Sequence, residues 1–324
     1  MKYAITGIGG HLGNAIARKL VEQGAEVTGF ALRNEDCSML DPAIKIVRGD
    51  VLDPDSLKGL FEGKPDFLIH CAGVITISRK KSDIVYKVNV EGTRNIISAC
   101  KAYGVNRLVY VSSVHAIPVV KDRQIVEIDH FDPDKVEGHY ARSKAMATSL
   151  VLESGLDCVV VHPSGIIGPY DYAMGFMTRV VGDYYTGKLY MSIKGGFDFV
   201  DVRDVADGII SACQKGRSGQ CYILSESYHE VSEIADIARN LGGKKPCFIN
   251  IPVGFVKAFI PLCNLYFKTH KEKALLTSES TSILSDRVEF SHKKAELELG
   301  YHPRGIYASL SDTIDFLKTS GLLI

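Results

Sequence analysis

Lys2-Tyr-Ala-Ile-Thr6 followed by Gly7-Ile-Gly-Gly-His-Leu-Gly13 is the stretch that decides the fold. Lys2 to Thr6 is a short apolar run, and glycines 7, 10 and 13 then recur at a three-residue spacing. From Asn14 to Gln23 the apolar residues Ile16, Ala17, Leu20 and Val21 recur with a helical period, and Gly24 closes the segment. Glu26 to Leu32 reads as a second strand. Strand, glycine turn, helix and strand form the first unit of a parallel nucleotide-binding sheet. Glycines there let the backbone approach a pyrophosphate while the helix N-terminus faces its charge.

Working outward, the alternation continues. Strands are predicted at Ile44 to Val47, Phe67 to His70, Arg107 to Val111 and Asp157 to His162. Helices are predicted at Pro54 to Glu62 and Asp83 to Tyr103, with another around Tyr140. Such alternation over about 160 residues argues for a parallel sheet covered on both faces. Ligands bind such sheets outside the carboxyl ends of the strands. By chain order Gly7, Arg33, Asp50, Ala72, Ser113 and Pro163 all fall there.

After Pro163 the pattern loosens. Ser164 to Pro169 is turn-rich, Phe176 to Tyr185 and Val231 to Leu241 read as helices, and Phe197 to Asp201 and Gln220 to Leu224 read as strands around a helix from Val202 to Cys213. From Ile251 onward the chain reads as mainly helical. The expectation is a doubly wound α/β main domain over residues 1–165, with elements of about 197–225 returning to it. A small, mainly helical substrate cap takes most of 166–324, interleaved with the main domain.

Composition narrows the function classes. With 46% hydrophobic and 23% charged residues, the chain has the profile of a soluble globular protein. Lysine plus arginine and aspartate plus glutamate both number 38, so nothing points to a nucleic-acid partner or an anionic membrane surface. The eight cysteines form no Cys-x-x-Cys pair and the ten histidines no metal-ligand spacing, which points to reduced thiols, no metal and a cytoplasmic protein. Ile249 to Phe267 is apolar but interrupted by Pro252, Lys257, Pro261 and Asn264, so a cap helix is expected there and no membrane span. The first residues enter a strand at once, and no secretion signal is expected.

The candidate chemistry lies in Gly138 to Ala145, Gly-His-Tyr-Ala-Arg-Ser-Lys-Ala. On a helix Tyr140 and Lys144 share one face, a turn apart. An ammonium beside a phenol favours the phenolate, and a three-unit shift requires roughly 4 kcal/mol of differential stabilisation. Ser113, 27 residues earlier and just after a strand, can face the same cleft, with Ser112 as the competing assignment. A carboxylate for the ribose is expected near the end of the second strand, but Ala31 stands there. Arg33 follows and suits a 2′-phosphate, which favours NADP(H) over NAD(H). The competing reading makes Arg33 a solvated loop residue, with Glu35 or Asp36 turned back to the ribose. Asp50, with Val51 after it, suits an adenine amino group or a simple turn.

Thr6-Gly-Ile-Gly-Gly-His-Leu-Gly13, Asp50-Val51, His70-Cys-Ala-Gly73, Asn89-Val-Glu-Gly-Thr93, Ser112-Ser113, Tyr140-Ala-Arg-Ser-Lys144 and His162-Pro-Ser-Gly-Ile-Ile-Gly-Pro169 stand in the order of the extended short-chain dehydrogenases/reductases. Asp198 to Val205 and Lys294 to Tyr301 also look like that family, so the resemblance spans nearly the whole chain. It looks most like the dihydroflavonol-reductase and 3β-hydroxysteroid-dehydrogenase branch. The resemblance implies a Rossmann-type sheet and a small-molecule substrate, and it admits a homodimer. It implies Tyr140 as proton donor or acceptor, Lys144 as ribose ligand and partner of the tyrosine, and Ser113 as the carbonyl-polarising hydroxyl. Gly7, Gly9, Gly10, His11, Leu12, Gly13, Cys71, Ala72, Gly73, Pro163 and Ile166 would line the cofactor. Asn89 is expected to fix the long helix against the sheet.

Two departures stand out. The second-strand acid is missing, and His162 stands where the family often has arginine or asparagine. The leading expectation is an NAD(P)-dependent oxidoreductase acting on an apolar alcohol or carbonyl compound such as a steroid, phenolic or aldehyde. Phe255, Phe259, Leu262 and Tyr266 motivate the apolar substrate. One alternative is a nucleotide-sugar epimerase or dehydratase with a basic cap site drawn from Arg179, Lys188, Lys194 and Arg203. Another is a non-catalytic dinucleotide sensor, which has no need of tyrosine, lysine and serine together.

Overall fold

The computed structural model describes residues 1–75, 83–120, 123–247, 249–255 and 287–323. Phe259, Leu262, Tyr266, Cys263 and most of the Ile249 to Phe267 stretch lie outside the described residues.

Seven parallel strands form the main sheet: β1 (Lys2–Thr6), β2 (Glu26–Ala31), β3 (Lys45–Arg48), β4 (Phe67–His70), β5 (Arg107–Val111), β6 (Cys158–Pro163) and, later in the chain, β10 (Gln220–Leu224). Their spatial order is β10-β6-β5-β4-β1-β2-β3. The order reverses at the β1–β4 boundary, the place where this architecture opens a ligand crevice. Strands buried on both faces read as continuous apolar runs, and every residue of β6, Cys158 to Pro163, is buried.

Helices cover both faces. On one side α1 (His11–Glu22) packs Ile16 and Leu20 into a core shared with Val205 and Ile209 of α7 (Val202–Lys215) and Ala295 and Leu299 of α9 (Lys293–Leu299). On the other lie α2 (Lys58–Phe61), α3 (Asp83–Tyr86), α4 (Thr93–Tyr103) and α5 (His139–Leu152). Helix α5 turns Ala141, Ala145 and Ala147 to the sheet. Such small side chains let a helix approach closely.

A third core joins α6 (Phe176–Thr186), α8 (Val231–Leu241) and α10 (Ile306–Thr319). Beside it β9 (Gly196–Asp201) pairs with β7 (Gly165–Ile167) and β11 (Ser227–Glu230), while β8 (Met191–Ile193) pairs with β12 (Ile249–Ile251). Within 197–225, α7 and β10 therefore lie on the main sheet and β9 belongs to the three-stranded one. Among the described residues no helix is long and apolar enough to cross a membrane.

Three details differ from the sequence reading. Helix α1 starts at His11, not Asn14, because Gly13 lies inside the helix where it crosses the turn. The helix expected over Pro54 to Glu62 divides into a tight 3₁₀ turn at Pro54–Leu57 and the single turn of α2. The helix expected over Asp83 to Tyr103 contains a π-helical turn at Lys87–Gly92 between α3 and α4. That turn contains Asn89, whose amide side chain bonds Val74 N–H at 2.7 Å and Val74 C=O and Ser143 Oγ at 3.0 Å each.

His70 and His162 end two of the sheet strands and are fully buried. Burial holds His70 down to about 3 and His162 to about 4. Both stay neutral in the fold, while the unfolded chain protonates them near their ordinary 6.5. As pH falls below about 6.5 the unfolded state binds more protons, so stability falls, by roughly 1 kcal/mol per pH unit per histidine, until each folded pKa is reached. Calorimetric melting between pH 7.5 and 4.5 is expected to show a falling Tm. His162→Phe, which keeps an aromatic ring against Phe131, is expected to have a shallower slope; equal slopes would contradict this origin.

Candidate active site

The glycine turn is shaped by close contact. Gly7 has φ +70°, and a Cβ there would lie 2.9 Å from the Ala72 Cα and N atoms. At Gly13 a Cβ would overlap the Gly7 carbonyl oxygen, so α1 sits directly on the turn. No side chain caps α1, which leaves its first-turn amides for an anion. A cradle that any side chain would fill, open to a helix N-terminus, fits a dinucleotide pyrophosphate. Gly9, Gly10 and Leu12 belong to this turn. His11 points elsewhere: its Nε2 pairs with the Pro169 carbonyl at 2.8 Å and ties the turn to the segment after β7.

At the far end of the crevice Arg33 is exposed and forms no ion pair among the described residues. The Glu35 carboxylate turns back to accept from Leu32 N–H at 2.9 Å and lies against Gly9. Arg48 braces the same loop through the carbonyls of Leu32 and Glu35. Asp50 uses Oδ1 in its own turn, accepting from Leu52 N–H at 2.9 Å, and Val51 is buried beside it.

The centre of the site is brought together from β4, β5, β6 and α5. Strand β4 ends in Cys71-Ala72-Gly73, and a Cβ on Gly73 would lie 3.5 Å from Lys144 Nζ. Strand β5 ends in the two serines, which part ways. Ser112 turns into the core and pairs with Thr148 at 2.8 Å. Ser113 faces the cleft: its oxygen accepts from His115 N–H at 3.2 Å, and it lies beside the Tyr140 phenol, whose titration it pulls down. At the end of β6, His162 Nδ1 donates to the Ser113 carbonyl at 3.0 Å, and its ring stacks on Phe131. This fixes the tautomer of His162 and the backbone that carries Ser113. Pro163 closes β6, and Ile166 lies in β7 just beyond.

Lys144 departs from the expected pairing. Its Nζ donates to the Val111 carbonyl at 2.8 Å and to the Tyr110 hydroxyl at 3.4 Å. Burial lowers the lysine to about 8. Burial also pushes the Tyr140 phenol up to about 12, with Ser113 pulling the other way. Desolvation of both groups therefore outweighs the phenolate-stabilising effect that the four-residue spacing suggested.

Two side chains of the site had not been singled out in the sequence. His115 stacks on Phe197 of β9 with ring centroids 5.4 Å apart and meets the Tyr140 ring edge-on at 6.2 Å. Tyr110 lies beneath Lys144, its ring centre 5.0 Å from Nζ. Its signal was available: Tyr110 is a phenol at an inward position of an otherwise aliphatic strand. Among the described residues no group of side chains could hold a metal ion.

A parallel seven-stranded sheet with a glycine turn at its switch point is the Rossmann-type architecture of dinucleotide-binding proteins. Residues 3–225 match the model of the NAD dependent epimerase/dehydratase family, and the chain belongs to that family. It is similar to sterol demethylase protein B of Methylococcus capsulatus, 27% identical over 100% of both chains. It is also similar to a candidate dihydroflavonol 4-reductase of Synechocystis sp., 30% identical over 98% of this chain and 95% of that one. The crystal structure of gox2253 superposes with a TM-score of 0.85 at 27% identity, covering 100% of this chain and 99% of that one.

The turn geometry makes one sharp prediction. Gly7→Ala forces a side chain into a left-handed backbone and against Ala72, at a cost of about 1–3 kcal/mol. Its denaturation midpoint should fall and dinucleotide binding should be lost in titration calorimetry; wild-type values for both would contradict the close-contact reading.

Proposed function

We propose that the chain is an NAD(P)-dependent oxidoreductase that interconverts a carbonyl and a secondary alcohol on an apolar small molecule of steroid, phenolic or aldehyde type. The observation that carries this reading is the placing of Ser113 beside the Tyr140 phenol just beyond the carboxyl end of β5, with Lys144 one helical turn along α5 and hydrogen-bonded to the Val111 carbonyl that ends β5. When bound, a nicotinamide dinucleotide supplies or accepts the hydride. The Gly7 to Gly13 turn would hold its pyrophosphate, and Cys71 to Gly73, Pro163 and Ile166 would flank it.

The chain's own residues handle the proton. In reduction, Tyr140, kept protonated by burial, gives its proton to the substrate oxygen. In oxidation it takes the alcohol proton as phenolate. The Ser113 oxygen accepts from His115 N–H, so the serine keeps its own proton for the substrate oxygen as charge grows there. Lys144 supplies positive charge from behind and holds the ribose.

The names of the relatives support the substrate class, since sterols and dihydroflavonols are largely apolar ring systems. The aromatic wall of His115 and Phe197 beside Tyr140 suits such a ring. The nucleotide-sugar reading is weakened at Arg203, whose guanidinium is engaged by Asp201 at 2.7 Å and Asp312 at 2.6 Å and is not free for a diphosphate.

A panel of steroids, flavonoids, aldehydes and nucleotide sugars, followed by cofactor absorbance, tests the proposal. Turnover is expected on one of the first three classes, and Tyr140→Phe should reduce kcat by roughly 10²–10⁴-fold with the fold intact. Full turnover by that variant, or turnover of a nucleotide sugar alone, would sink it.

For the cofactor we favour NADP(H), on the exposed guanidinium of Arg33 and the lack of a carboxylate at Ala31. Glu35 opposes a 2′-phosphate and has to swing away from Gly9. Arg33→Ala is expected to weaken NADPH binding about tenfold, the effect of one charged hydrogen bond, and to leave NADH nearly unchanged. An equal effect on both cofactors would remove Arg33 from this role.

A further inference from the structure

Beneath the Lys144 ammonium runs a row of buried polar groups that the proton transfer described above does not use. Thr6, His70, Thr93 and Tyr110 are each fully buried. Their hydrogen bonds have only one consistent direction. Thr93 Oγ1 lies 2.7 Å from the Asn89 carbonyl, which can only accept, so the single Thr93 proton goes there. The Thr93 oxygen is then an acceptor for His70 Nε2 at 3.1 Å. His70 is neutral, so its proton is on Nε2 and its Nδ1 accepts from Thr6 Oγ1 at 2.7 Å. The Thr6 oxygen in turn accepts from Ala72 N–H at 3.2 Å.

The Tyr110 ring packs against the His70 ring that this row holds, with centroids 5.7 Å apart, and since an ammonium can only donate, the Tyr110 oxygen accepts from Lys144 at 3.4 Å. Among the described residues no anion faces Lys144. The titratable groups around it are Cys71 after β4, His70 on β4, Tyr110 on β5, His162 on β6 and Tyr140 on its own helix. Burial keeps the thiol and the phenols protonated and the imidazoles unprotonated at neutral pH. The ammonium, 5% exposed, rests on two neutral acceptors, the Val111 carbonyl and the Tyr110 hydroxyl, with the Tyr110 ring beneath it.

We propose that Tyr110 is a positioning residue for Lys144: the Thr6–His70–Thr93 row fixes the His70 ring against which Tyr110 packs, and the Tyr110 hydroxyl, as an acceptor, keeps the buried lysine charged and in place. The proposal deepens the function assigned above, because its catalytic consequence rests on Lys144 serving the reaction. It also gives the glycine turn a physical link to the lysine, since the row begins on the amide of Ala72 that packs against Gly7.

The test reads Lys144 directly. In protein carrying ¹³Cε-lysine, NMR titration with Lys144→Met for assignment gives the lysine midpoint without any turnover. Tyr110→Phe keeps the ring and removes the acceptor, and the midpoint should fall by about one pH unit, the effect of one hydrogen bond to a charged group. The alkaline limb of the reductive pH profile should move down with it. Thr93→Val, which takes the acceptor from His70 Nε2 and loosens the ring that Tyr110 packs on, should shift the midpoint in the same direction and Thr93→Ser should restore it, which keeps the proposal testable even if Tyr110→Phe does not fold. An unmoved midpoint in the folded variants would overturn the proposal. A lowered midpoint together with full turnover in Lys144→Met would support the Tyr110 contact and instead overturn the catalytic assignment of Lys144.

Discussion

The register of β1, β4 and β5 is the constraint on which the rest of the site depends. Thr6 pairs with His70, and His70 with Tyr110, so three polar side chains stand at one level across adjacent parallel strands. By the two-residue period they share a face with Ala4, Leu68 and Leu108, the face covered by α4 and α5. A slip of one residue in any strand would send its member to the opposite face. With the register as it is, Gly7 meets Ala72, Thr93 reaches down from α4 and Lys144 from α5. The crevice and the charged group in it are two results of one alignment.

A polar row inside a sheet–helix interface is costly unless every group is paired. The π-helical turn at Lys87–Gly92 provides the pairing. A regular helix through this segment would present Asn89 and Thr93 one turn apart on a common face, competing for the same neighbours. The wider turn sends the Asn89 amide to Val74 and to Ser143 of α5, and leaves its carbonyl for Thr93. Ser143 then bonds the Tyr140 carbonyl at 2.7 Å, so the interruption also fixes the backbone of the helix that carries the tyrosine and lysine. π-bulges of this kind concentrate at functional sites for such reasons.

Much of this was legible in the chain. The apolar strands separated by amphipathic helices gave the parallel sheet, and the glycine spacing in that context gave the crevice. Ser113 stands just after β5 and Tyr140 at the start of α5, where the chain order had placed them. The strands β7, β8, β11 and β12 were not legible, because runs of three or four residues carry no usable period. Nor was the direction of the pKa shifts. Spacing says that two side chains share a helix face, but says nothing of how deeply both are buried or whether the longer one bends to another partner. Lys144 bends to Val111 and Tyr110, and desolvation then raises the phenol. The tautomers of His70 and His162 likewise follow from contacts made across strands.

That electrostatic arrangement suits a reaction in which charge appears on the substrate and nowhere else. A carboxylate beside Lys144 would stabilise the ammonium in the resting protein and spend part of its field on itself. On the function proposed above, an ammonium held among the described residues by a carbonyl and a phenol keeps most of its field for an oxygen that becomes negative in front of Ser113 and Tyr140. The strongly charged residues nearby are paired elsewhere: Arg203 with Asp201 and Asp312, Arg304 with Asp204. These ion pairs fasten α7 to α10 and to the segment before it. They contribute to the joint between the main-sheet helix α7 and the third core, and they leave the cleft itself with aromatic and hydroxyl-bearing walls. On the function proposed above, a polar diphosphate gains little from such walls, whereas an apolar ring with one oxygen function can bury its surface there and present that oxygen to Ser113 and Tyr140.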